Sequence, residues 1–262
     1  MAGGRHRSHP TLASLPRRSP NVLHTRAMDG FRNCLVTGAN RGLGLEFARQ
    51  LLEGGASVVA TAREPGRATA LNALAADHPG RLRVLPLDVA RPAAIAALAR
   101  ELPLAGDATP FDLLVNCAGV LHSGERFGKL DPAVLEDSFR VNAMGPLLLT
   151  EALAPMLADG ARVANLSSIL GSIASLGRFG SPSYDISKAA QNMVTALLAK
   201  ALAGRGIVVL ALHPGWAQTD MGGGNATVPV AESVAGMLRV VAAAGPGDSG
   251  SFRDWQGETL PW

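Results

Sequence analysis

The sequence predicts an α/β fold: a single doubly wound domain with a seven-stranded, mostly parallel sheet and helices on both faces. Three observations predict it. From Asn33 onward, short apolar runs alternate with longer stretches whose apolar residues recur at helical spacing. The intervening stretches are long enough for crossover helices, which parallel strands require. A glycine-rich turn follows the first run and opens the first helical stretch.

The elements follow in order. Cys34–Thr37 is a short apolar strand ending in the glycine turn. Leu43–Glu53 carries Leu43, Phe47 and Leu51 on one helical face and stops at Gly54-Gly55. Ser57–Thr61 is a β-branched strand, Arg67–Ala76 a helix and Leu82–Leu87 the third strand. Pro92–Glu101 is a helix with Pro in its first turn, and Leu113–Cys117 is the fourth strand. Asp131 and Pro132 supply an N-cap and a first helical residue for a long helix expected to run to about Ala158. Val163–Leu166 is the fifth strand, and a Gly/Ser-rich loop spans Ser167–Pro182. A helix follows from Ser183 to Ala203, then a strand over Ile207–Leu212 and a glycine-rich loop at Gly222–Asn225. Val230–Val241 is the last helix and Gly250–Asp254 the last short strand. No repeat or linker divides the chain, so residues 31–262 form one domain.

Composition agrees. The 262 residues are 47% hydrophobic and 17% charged, as in a globular protein with a sizeable core. No uncharged apolar run approaches the roughly 18 residues of a membrane span. The net charge of +3 is uneven: residues 1–28 hold Arg5, Arg7, Arg17, Arg18 and Arg26 and no acid. The remaining 19 basic residues face 21 acids, which argues against a nucleic-acid footprint across the domain. Cys34 and Cys117 lie in apolar runs without metal-ligand spacing, so no metal is expected and both read as reduced core residues of a cytoplasmic protein. Residues 1–30 are set apart as a leader or disordered segment. Three readings stay open for 1–28: a disordered or non-native leader, an organelle-targeting peptide, or a true start at Met28.

The turn Thr37-Gly38-Ala39-Asn40-Arg41-Gly42-Leu43-Gly44 lies between a strand and a helix, the context in which such glycines let backbone N–H groups meet a pyrophosphate. This makes the domain Rossmann-like and a dinucleotide its ligand. The second strand ends Ala60-Thr61-Ala62-Arg63, without the acid that would hold the 2′-hydroxyl of NAD. Arg41 and Arg63 offer two guanidinium forks to a 2′-phosphate, so NADP(H) is the expected cofactor, with Glu64 adjacent as the opposing feature.

Tyr184 is the single tyrosine, and Lys188 follows at i+4 on the same helical face. A lysine ammonium beside a phenol is expected to lower its pKa from about 10, letting it pass a proton to a carbonyl oxygen. Ser167 and Ser168 follow the fifth strand, Asn116-Cys117-Ala118-Gly119 ends the fourth, and Asn142 lies in the long helix. Together with Asp88 and His213-Pro214-Gly215, these motifs stand in the order found in short-chain dehydrogenases/reductases, which the chain resembles over nearly all of residues 31–262. The segments Ala39–Glu46, His213–Trp216 with Thr219-Asp220-Met221, and Gly257–Trp262 are similar to the C-factor-like and sniffer-like carbonyl reductases.

The resemblance implies reduction of a small aldehyde or ketone, or oxidation of the alcohol, using NADP(H). It implies Tyr184 as general acid/base and Lys188 as the group that lowers its pKa and holds the nicotinamide ribose. Ser168, with Ser167 as the alternative, would bond the substrate carbonyl, and Asn142 would support a proton relay. Gly38, Asn40, Arg41, Gly42, Leu43 and Gly44 would cradle the phosphates beside Arg63. Asp88 and Val89 would touch adenine, Asn116, Ala118 and Gly119 would line the ribose side, and Pro214, Gly215 and Thr219 would contact the nicotinamide end. It also implies a homodimer or homotetramer. Two departures stand out: Cys117 replaces the family's usual Asn, and Gly171–Ser181 lengthens the path from Ser168 to Tyr184, which is expected to shape the substrate mouth. Small pocket residues leave the substrate open, and a cofactor-binding signalling protein without essential turnover is the alternative. His213 reads as packed or cofactor-side, Trp216 as core or pocket wall, and Met221 with the following glycines as a lid or a passive loop.

Overall fold

The computed structural model describes Met1, residues 30–104 and residues 109–262. Apart from Met1, the leader over 1–28 lies outside the described residues. The first strand, β1 (Asn33–Val36), buries Cys34 and Val36 on one face and Leu35 on the other, the period-2 pattern of a strand covered on both sides. It feeds α1 (Gly42–Glu53), which presses Phe47, Ala48 and Leu51 onto the first face. Next come β2 (Ser57–Ala62), α2 (Thr69–Asp77), β3 (Leu82–Pro86), α3 (Pro92–Leu104) and β4 (Phe111–Asn116).

The stretch expected as one long helix is divided. α4 (Pro132–Phe139) starts as expected, with the Asp131 carboxylate accepting from Ala133 N at 2.9 Å. A π-turn (Arg140–Met144) follows, then α5 (Gly145–Leu153). The helix ends before Ala158 because Pro155 has no N–H to continue the ladder. β5 (Leu157–Leu166) is therefore longer than Val163–Leu166, and it pairs with β4 through a register shift between Phe111 and Leu113. The fold closes with α6 (Pro182–Leu202), β6 (Val208–His213), α7 (Val230–Ala243) and β7 (Phe252–Asp254).

Among the described residues the seven strands run in the order β3-β2-β1-β4-β5-β6-β7, and every pairing is parallel. α1 and α7 cover one face, around Phe47, Val234 and Met237. α3, α5 and α6 cover the other, around Leu98, Leu149 and Val194. Strand order reverses between β1 and β4, which opens a crevice at the carboxyl ends of those strands. No described helix is long and apolar enough to cross a membrane.

Candidate active site

The crevice is a cavity of about 760 Å³, lined by the turn after β1, the ends of β2, β3 and β4, and the segment after β6. Its floor depends on backbone proximity. Gly38 has φ +64°, and a Cβ there would lie 2.8 Å from Ala118 Cα; one on Gly44 would lie 2.3 Å from the Gly38 oxygen. The Thr37 hydroxyl ties the turn to β4 by accepting from Cys117 N and Ala118 N, each at 3.0 Å. No side chain caps the α1 N-terminus, so its first N–H groups face the crevice with the positive end of the helix dipole.

Gly38, Asn40, Arg41, Gly42, Leu43, Gly44, Arg63, Asp88, Val89, Ala118, Gly119 and Thr219 all line this cavity. Glu64 lines it too, but its carboxylate pairs with Arg67 at 3.0 Å. Arg41 reaches across to Asp220 at 2.8 Å, with both side chains largely exposed (67% and 80%). Asp88 is held by Ala90 N at 3.1 Å and Arg91 at 3.3 Å. Asn116 stands apart from the cavity: its amide donates to Asn165 at 2.8 Å and Thr150 at 3.1 Å in the core. Pro214 accepts from the Ser233 hydroxyl at 2.6 Å, and Gly215 has φ +72° where a Cβ would strike Trp255. The cradle, the bare helix terminus and the two guanidiniums fit a phosphorylated dinucleotide.

Beside this cavity stands the second group. Tyr184 is 8% exposed, one turn into α6, and burial pushes its phenol up to about 12. The Ser168 hydroxyl bonds to it and pulls the other way. Ser167 is turned away, donating to Asn192 at 2.6 Å, so the structure brings Ser168 to the tyrosine. A short 3₁₀ turn at Ile169–Gly171 makes this possible, since a Cβ on Gly171 would meet the Lys188 backbone at 2.7 Å. The N-terminus of α6 is held by Glu125, which accepts from the Ser183 hydroxyl at 2.7 Å.

Lys188 differs from expectation. Its ammonium lies 5.5 Å from the Tyr184 ring centroid and donates to Leu166 O at 2.6 Å and Gln191 Oε1 at 2.8 Å. Burial drives it down to about 8. The phenol is raised rather than lowered because its own burial outweighs the Ser168 hydrogen bond. Asn142 clamps the Val120 backbone, accepting from its N and donating to its O, each at 2.9 Å, and also donates to Ser187 at 2.9 Å. It lies in the π-turn, a distortion often found at functional positions. A Cβ on Gly119 would lie 3.2 Å from Asn142 Oδ1 and 3.8 Å from Lys188 Nζ, so the cavity wall touches the Asn-Tyr-Lys group.

His213 is pushed down to about 4 by burial and reads as a neutral packed residue. Trp216 is half exposed and donates to Gly222 O at 2.7 Å. The loop it opens is pinned by an Ala217–Val228 bridge and contributes Met221 to the cavity. The Gly171–Ser181 segment exposes Ile173, Leu176 and Phe179, and Phe179 stacks edge-on against Phe127 at 5.7 Å. The sequence alone marks no site role for Thr37, Arg67, Glu125, Phe127 or Gln191. Thr37 opens the glycine turn, and Gln191 lies one helical turn beyond Lys188; those positions are the available signals.

The sequence pattern of the family described as short chain dehydrogenase matches residues 32–227. A protein of Myxococcus xanthus named C-signal is 45% identical over 155 residues, 58% of this chain and 93% of that protein. The NADPH-bound carbonyl reductase from chicken fatty liver matches with a TM-score of 0.83 at 39% identity, covering 88% of this chain and 99% of that one. The carbonyl reductase Sniffer of D. melanogaster matches with a TM-score of 0.84 at 30% identity, covering 88% of this chain and 99% of that one.

Proposed function

The chain belongs to the short-chain dehydrogenase family, and on that premise we propose that it is an NADP(H)-dependent reductase of small aldehydes or ketones. The observation that carries the proposal is the meeting of Ser168, Tyr184 and Lys188 beside a cavity lined by Arg41 and Arg63. The cofactor, when bound, supplies the hydride. Gly38, Gly42, Gly44 and the start of α1 hold its phosphates. Arg41 and Arg63 take the 2′-phosphate, with Glu64 neutralised by Arg67. Tyr184, Lys188, Pro214, Gly215 and Thr219 hold the nicotinamide end.

Ser168 orients the substrate carbonyl, and Tyr184 gives its proton to the oxygen as negative charge develops there. A phenol raised to about 12 is protonated at neutral pH, which is the competent state for carbonyl reduction. Alcohol oxidation uses the same residues in reverse but needs the phenolate. The likeness to C-signal supports a second reading, in which cofactor-dependent shape rather than turnover is the output. The proposal includes a homo-oligomer, for which the exposed stripe Ile186, Met193 and Leu197 on α6 offers an apolar face. It also includes a cytoplasmic location, in keeping with two free cysteines.

The test is titration with NADPH and NADH, followed by turnover on aromatic aldehydes, quinones and diketones beside Tyr184→Phe. Tight NADPH binding with turnover lost in the variant supports the reductase. Binding without turnover on any carbonyl supports the second reading. A preference for NADH overturns the roles of Arg41 and Arg63.

A further inference from the structure

Lys188 is 4% exposed, yet no carboxylate among the described residues pairs with it. Its titratable neighbours are Tyr184 on its own helix and Cys117 from the segment after β4. The Ile169–Gly171 turn packs on its backbone and brings no charge, and Asn142 approaches from the π-turn as a neutral amide. A buried ammonium in such surroundings is driven toward its neutral form unless oxygens are fixed around it. Two are: Leu166 O at 2.6 Å and Gln191 Oε1 at 2.8 Å. The first is main chain and set by the sheet. The second is the only one supplied by a side chain.

Gln191 is fully buried and lies one turn beyond Lys188 on α6. Its carboxamide faces the lysine with the oxygen, leaving Nε2 without a partner. The two ends of the amide have nearly the same shape, so this orientation is chosen by chemistry. An ammonium only donates, and turning the NH₂ toward it would set donor against donor. The glutamine thus satisfies the lysine while leaving its own NH₂ unbonded. Its backbone is anchored as well: Thr195 Oγ1 donates to Gln191 O at 3.0 Å and accepts from Asn165 Nδ2 at 2.9 Å.

We propose that Gln191 is a positioning residue for the catalytic lysine, holding Lys188 as an ammonium at a fixed point beside Tyr184 in the role a buried carboxylate would otherwise fill. The catalytic part of this inference rests on the reductase reading; the statement about the lysine's charge does not.

The chain has three lysines, Lys129, Lys188 and Lys200, so ¹³Cε-lysine NMR of the cofactor-free protein resolves Lys188 by its absence in Lys188→Met. In Gln191→Leu the Lys188 midpoint falls by about one unit or more, as loss of an acceptor on a charged donor requires. In Gln191→Glu, nearly the same shape, the midpoint rises. If carbonyl turnover is present, its alkaline limb moves with each midpoint while NADPH affinity changes less than about threefold. A Lys188 midpoint that stays within about 0.3 units in Gln191→Glu overturns the proposal, even if Gln191→Leu fails to fold. Loss of activity without a shift in Lys188 assigns Gln191 a packing role and also overturns it. Absence of turnover on every carbonyl refutes the reductase reading and leaves the NMR result standing.

Discussion

The phenol of Tyr184 carries a prediction that can be read directly, because it is the only tyrosine in the chain. Burial raises it from 10 to about 12, with the nearby Asp185 charge adding to the rise and the Ser168 hydrogen bond opposing it. Two units correspond to about 3 kcal/mol against the phenolate. The perturbation is alkaline titration of the cofactor-free protein, followed by phenolate absorbance near 295 nm while far-UV circular dichroism reports the fold. Tyr184→Phe supplies the blank, since it removes the whole signal. The band is expected to stay flat through pH 10 and to grow only near 12. Ser168→Ala, which removes the bond that favours phenolate, moves the midpoint higher still. A midpoint at or below 10 with native dichroism would refute the reasoning: it would mean that Lys188 already stabilises the phenolate, despite its bonds to Leu166 and Gln191.

Three further outcomes follow from the same geometry. Gly171→Ala places a methyl 2.7 Å from the Lys188 backbone, so the Ser168 turn must lift from α6; stability falls by about 1–3 kcal/mol and kcat/KM by at least tenfold, measured by thermal unfolding and steady-state assay, with NADPH affinity nearly unchanged. Ser168→Ala lowers kcat by roughly 10²–10³ while fluorescence titration shows unaltered NADPH binding, as expected for a donor acting on the developing oxyanion. Arg63→Ala weakens NADPH binding by about tenfold or more and leaves NADH binding unchanged in parallel titrations, since only the 2′-phosphate is lost as a partner.

Much of this molecule is legible in its sequence where the cause is local. The glycine turn could be read because φ at Gly38 and crowding at Gly44 admit no other residue. The pairing of Tyr184 with Lys188 follows from helical spacing alone. What escaped notice depends on distant neighbours. The π-turn at Asn142 reflects an amide drawn onto the Val120 backbone, 22 residues away in the chain. The first half of β5 carries no strand-like alternation and is held by its pairing with β4 at Phe111–Leu157. The partner of Arg41 is Asp220, across the crevice, and only folding sets that ion pair. The partners of Lys188 lie outside the local pattern too: the spacing that brings it to Tyr184 says nothing of the Leu166 carbonyl, which β5 delivers.

The core amides have a consequence for how the chain reaches its fold. Thr150, Asn116, Asn165 and Thr195 form a continuous buried chain of hydrogen bonds that crosses from α5 through β4 and β5 to α6. Asn116 and Asn165 are also direct partners in the β4–β5 ladder. Apolar strands alone could slide past one another and still bury oily surface. A slip of one residue between β4 and β5 would put the two carboxamides on opposite faces of the sheet and break the bond between them. Misaligned sheets are therefore expected to be short-lived during folding, and the central strands lock in the alignment that also delivers Leu166 and Ser168 to α6. Proofreading of the fold and assembly of the site are one event.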